Sequence, residues 1–245
     1  MKTRHIIGCF GVFLLLENGC QTSTPSPGIE ETLSKAGSNR EELFHVIRHY
    51  QKAGDSLKLQ AALFLIENMA DKYYYTGKAI DEYYTFIDSV YQIQQEEYDI
   101  PAIYADFSSK AQYLKEQPTV TIDVQTLSAD YLIENIEEVF AAWNRPWNQH
   151  LSFDKFCELI LPYRVGSELP ESWRQLYRER FEPFLKSDTI QTAIQACTAI
   201  NNELIKQTIH IAESSVLPID LRPSTLVDIK FGLCGDYANQ AVFAM

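Results

Sequence analysis

From Asn39 onward, apolar residues recur three and four positions apart, segment after segment, and only one short stretch alternates. Leu43, Val46, Ile47 and Tyr50 form one stripe, which predicts a helix over 41–51. Gly54-Asp55-Ser56 interrupts it. A longer apolar-faced helix is expected over 57–74, through Ala61, Leu63, Phe64, Ile66 and Met69. A third, near 80–97, carries Tyr83, Tyr84, Ile87, Val90 and Tyr91 on one side. Residues 118–123 alternate and are rich in β-branched side chains, the one convincing extended piece. Ser128 suits the N-cap of a helix over 129–143, which Asn144-Arg145-Pro146-Trp147 ends. Ser152 caps a short helix that stops by Pro162. Pro170-Glu171-Ser172 opens another to about Leu185, and Asp188 opens a long one to Glu213. Leu217-Pro218 and Arg222-Pro223 mark a linker before the last segment. The pattern predicts a mainly α chain, divided into helical regions at 39–117 and 118–217 and a final segment at 218–245. No second copy of the helix–turn–helix at 41–74 recurs at a fixed period, so no repeat array is expected.

The N-terminus reads as an address. Lys2 and Arg4 precede an apolar run from Ile6 to Leu16, and Gly19-Cys20 follow, which describes a secretory signal peptide over 1–19. The run is too short for a permanent membrane helix, which needs about 20 apolar residues. The polar, proline-bearing stretch after Cys20 fits a tether over 20–38. The arrangement resembles a bacterial lipoprotein signal, which implies a lipid on Cys20 that anchors the chain to a membrane. It also implies a place in the cell envelope, on the outer membrane or in the periplasm. Glu17 stands where that pattern prefers Leu, and plain cleavage or an atypical anchor are the alternatives. Loss of 1–19 removes Lys2, Arg4 and Glu17 and takes the net charge from −12 to −13. So acidic a chain has no basic surface with which to displace counterions from phosphates, which excludes a nucleic-acid partner. Charge alone would not draw it to anionic lipid either.

Three cysteines remain in the body, an odd number, so at least one thiol is unpaired. Cys157 and Cys197 sit among apolar neighbours at helical spacing and read as small buried hydrophobes. His45 and His49 lie one turn apart, but Val46 stands where the zinc-protease signature needs Glu, so they read as a surface pair. Tyr73, Tyr74, Tyr75, Tyr83, Tyr84, Tyr91, Tyr98, Tyr104 and Tyr113 read first as a core-and-rim stripe, and second as a stacking platform for sugars.

Cys234 differs from the other two. Gly232 and Gly235 flank it, and Ala238, Ala241, Val242 and Met245 recur at helical spacing, so a helix should begin beside it. A thiol there meets unpaired N–H donors and the positive end of the helix dipole, a setting that suits a nucleophile.

The run Gly232-Leu233-Cys234-Gly235-Asp236-Tyr237-Ala238 resembles the nucleophile segment of the transglutaminase-like superfamily. Leu63 to Met69, Ala141 to Trp147 and Leu151 to Arg164 resemble exported proteins of Bacteroides-type bacteria that carry a helical region before such a domain. The resemblance spans most of 40–245. It implies a papain-like α+β domain in which Cys234 attacks a peptide or protein amide, forms a thioester and passes the acyl group to water or an amine. A peptidase or amidase is implied over a crosslinking enzyme, with no cofactor and no metal. The family's histidine and aspartate follow the cysteine, whereas His5, His45, His49, His150 and His210 all precede it. The expectation is therefore an N-terminal piece of a longer enzyme, cut one helix into its catalytic domain and inactive by itself. The other reading is a non-catalytic envelope lipoprotein that binds peptide or glycan through its helical surface.

Overall fold

Side-chain caps set the helix starts. Asp55, Ser128, Ser152 and Thr192 each accept a first-turn backbone N–H, from Lys58, Tyr131, Lys155 and Gln195 in turn. A computed structural model describes residues 27–93, 98–110, 117–186, 189–206, 209–210 and 219–245. It is mainly helical. The helices are α1 (Pro27–Lys35), α2 (Arg40–Ala53), α3 (Ser56–Glu67), α4 (Lys78–Ile93), α5 (Ile100–Lys110), α6 (Ala129–Trp143), α7 (Phe153–Leu159), α8 (Trp173–Leu185), α9 (Ala193–Ile205), α10 (Pro223–Leu226) and α11 (Cys234–Ala244). The strands are β1 (Tyr73–Thr76), β2 (Thr119–Ile122), β3 (Ile209–His210) and β4 (Phe231–Gly232). Among the described residues, no helix is long and apolar enough to cross a membrane.

The signal peptide read at 1–19 and the lipid site at Cys20 lie outside the described residues. The tether read over 20–38 does not hold from 27 onward. Ile29 and Leu33, four apart, bury themselves and carry α1 onto α3. The helix expected over 57–74 stops at Glu67. Tyr73–Thr76 instead pairs antiparallel with β2, Tyr73 opposite Ile122 and Thr76 opposite Thr119. Consecutive tyrosines favour a strand once a partner exists, and that partner lies more than forty residues away. The long helix expected from Asp188 begins at Ala193, where Thr192 and Gln195 exchange hydrogen bonds as a capping box, and ends at Ile205. After it, β3 pairs parallel with β4. Helix α5 was not expected.

Packing divides the chain otherwise than the sequence regions at 39–117 and 118–217. One apolar cluster joins α1, α2, α3, α6 and α7 through Leu43, Ile66, Leu132, Ile136 and Phe156. The other joins α4, α5 and α8 to α11 through Tyr83, Ile87, Tyr177, Phe181, Phe231 and Phe243. The final segment thus belongs to a core shared with α4 and α5.

A buried polar centre ties β1, the turn at Asp123 and the loop after Tyr163 together. The Asp123 carboxylate, fully buried, meets the Arg164 guanidinium at 2.7 and 2.9 Å and accepts the Tyr163 hydroxyl at 2.9 Å. Arg164 also donates to the carbonyls of Tyr73, Gly166 and Glu168. Burial pushes the Asp123 carboxyl above its ordinary value, with Arg164 and Tyr163 pulling the other way.

Candidate active site

Phe231 and Gly232 pass through the core as β4, and Leu233 turns the chain so that Cys234 becomes the first residue of α11. The Cys234 thiol is free and exposed. Its helix makes its first backbone bond from the Tyr237 N–H to the Leu233 carbonyl at 3.3 Å. First-turn amides have no acceptor within a helix, so those beside the sulfur are suited to an oxyanion.

Asp236, given no role on sequence grounds, caps this turn. Its carboxylate accepts the Leu233 N–H at 2.8 Å. Burial pushes its carboxyl up to about 6, against the pull of that bond and with help from Asp220. The two flanking glycines differ. A Cβ at Gly232 would come within 3.1 Å of the Asp236 side chain, so the close approach expected there is real. A Cβ at Gly235 would meet nothing within 4 Å, so tight packing is not what that glycine serves.

Long-range bonds hold α11 in place. Asp220 accepts from Asn239 of α11 at 2.9 Å with one carboxylate oxygen. With the other it accepts from the Ser167 N–H at 2.7 Å and hydroxyl at 2.9 Å. Gln240 donates to the Leu226 carbonyl at 2.6 Å. The Arg222 N–H reaches the Tyr84 hydroxyl at 3.0 Å, and that hydroxyl donates to the Asp220 carbonyl at 3.3 Å. The loop after Arg164 therefore positions the cysteine helix through Asp220.

The other candidate residues are scattered. Cys157 is buried, as expected, and burial pushes its thiol up to about 12. Cys197 is not buried. It is exposed on α9, its thiol 3.6 Å from the Met245 sulfur. His45 and His49 are both exposed on α2, part of the other cluster. Among the described residues, no group of three or more His, Cys, Asp or Glu is placed to hold a metal. Tyr83, Tyr84 and Tyr104 are core, while Tyr73 and Tyr98 lie at the surface, and Tyr113 falls outside the described residues. The parallel ladder sets the backbone of His210 opposite Gly232, two residues before Cys234. Sequence separation hid that neighbour.

Comparison with known proteins returned no matching family model, no matching curated protein and no matching solved structure.

Proposed function

We propose that this chain is part of an exported cysteine enzyme of the transglutaminase-like kind, with Cys234 as its nucleophile. The sulfur attacks the carbonyl carbon of a peptide or protein amide, and the C–N bond breaks. The amine leaves with a proton, and the acyl group stays on sulfur as a thioester until water or an amine takes it. In this reading, first-turn N–H groups of α11, which have no acceptor within the helix, stabilise the oxygen that becomes negative in that step.

One observation carries the reading. Of the three cysteines described, Cys234 alone combines exposure with the first position of a helix. Proton transfer still requires a base within hydrogen-bond reach. His210 is the histidine whose backbone runs beside the nucleophile segment. Loss of thioester formation in His210→Ala would assign the base to this chain, and retention would assign it elsewhere. The reading is tested by an activated acyl donor followed by peptide mass spectrometry. A hydroxylamine-labile adduct on Cys234 is the expected product. An adduct on Cys197 with Cys234 unmodified refutes the proposal.

A further inference from the structure

Helix α2 turns its apolar stripe of Leu43, Val46, Ile47 and Tyr50 into the core and leaves His45 and His49 on its exposed side. Side chains four apart on a helix lie one above the other, with Cβ atoms about 5–6 Å apart. Two imidazoles so placed can close on one ion between them. Among the described residues, neither imidazole has a hydrogen-bond or ion-pair partner, and the His49 ring meets the Tyr50 ring edge to face at 4.7 Å. Val46, in the place where a zinc protease carries Glu, is buried, so no carboxylate stands there to activate water. The pair is equipped to hold a metal and not to hydrolyse with one.

Two cations share this side of α2. Arg48 is bonded to Glu41 at 3.2 Å and lies over the Phe44 ring at 5.9 Å. At 3.6 residues per turn, Phe44 falls on the flank of Arg48 away from the histidines, so the guanidinium leans off the pair and carries its own counter-charge. Lys52, one turn beyond Arg48, is the other cation. Glu41 stands one turn before His45, and the net charge of −12 over the whole chain favours cations at longer range.

We propose that His45 and His49 chelate a single late divalent transition-metal ion, of the nickel(II), copper(II) and zinc(II) group, with water in its remaining positions. Imidazole suits these ions, and affinity is greatest for copper(II). Hard ions such as magnesium prefer carboxylate and carbonyl oxygens. Among the described residues, no third His, Cys, Asp or Glu joins the pair, so the site stays open on its solvent side. Leu43, Val46, Ile47 and Tyr50 hold α2 against the core. The two ligands therefore sit on a helix already formed, and the metal is spared the cost of ordering one.

Nickel(II) is the probe, because copper(II) would also oxidise exposed thiols, and iodoacetamide first caps Cys197 and Cys234. Calorimetry should show one ion bound per chain. His45→Gln and His49→Gln, both at exposed positions, should each weaken binding at least about tenfold, since the second ligand closes intramolecularly. Arg48→Gln, which leaves both imidazoles in place, should not weaken it. Nickel should raise the melting temperature of the wild type and not that of the double variant, with circular dichroism checking that the variants keep their helices. Unchanged affinity in either single variant would put the ion elsewhere, and halved stoichiometry at unchanged affinity would mean two separate imidazoles. Equal binding of magnesium would mean diffuse attraction to an acidic chain. Each of these results would overturn the proposal.

Discussion

Replacing Arg164 by Met tests the buried polar centre that ties β1 and the loop after Arg164 to Asp123. The substitution keeps the aliphatic stem and deletes a guanidinium that pairs with Asp123 and donates to the carbonyls of Tyr73, Gly166 and Glu168. Asp123 is then left fully buried with only the Tyr163 hydroxyl. Stranding one partner of a buried pair costs about 3–5 kcal/mol. For a fold whose stability is on the order of 5–15 kcal/mol, that is a third or more. Urea unfolding followed by circular dichroism and tryptophan fluorescence reads the loss. Adding Asp123→Asn removes the stranded charge and should return about 2 kcal/mol. The pH dependence has a definite sign. A carboxyl held above its ordinary value favours the fold while protonated and withdraws that favour as pH rises through the folded value. Burial already pushes Asp123 upward, and losing Arg164 removes the strongest opposing pull, so the deficit of Arg164→Met should shrink from about pH 7 to about pH 5. A loss under about 1 kcal/mol, or a double variant no more stable than the single one, would refute the reasoning.

Asp236→Asn keeps an oxygen for the Leu233 N–H and removes the charge. Because the Asp236 carboxyl is pushed up to about 6, the wild type should lose about 2 kcal/mol of stability as pH rises through that value. The variant should lose little over the same range, and parallel denaturation curves at low and neutral pH would contradict this. The same variant should speed alkylation of Cys234 by removing a negative charge two residues from the sulfur. Gly166→Ala would drive a Cβ into the Asp220 carboxylate that holds α11. It should raise amide exchange at 234–239 with little change in α2 and α3, as hydrogen-exchange mass spectrometry can resolve. Ser128→Ala deletes the cap of α6 and should cost about 1 kcal/mol in urea unfolding.

Local signals were readable where the energy is local. The Ser128 and Ser152 caps and the Gly54-Asp55 break all appear where sequence chemistry puts them. Helix α6 spans 129–143 as its periodicity predicts, and α11 starts at Cys234. What was illegible depends on partners distant in the chain. Tyr73–Thr76 continues a helical pattern until β2 offers it a ladder. Cys197 has apolar sequence neighbours, yet its own side of α9 faces an open groove. Asp236 could have been found, since an acidic residue three positions past a turn is a capping signal. Asp220 could not, because its bonds reach Ser167 and Asn239 across separate elements.

The most direct test of Cys234 as nucleophile is an internal race. Cys234 and Cys197 are both exposed thiols of one molecule, and Cys197 lies within α9, away from its N-terminal turn. With limiting iodoacetamide near neutral pH, peptide mass spectrometry gives the two rates side by side. The helix-start position predicts Cys234 to react at least about tenfold faster. Equal rates, or Cys197 the faster, would contradict the assignment.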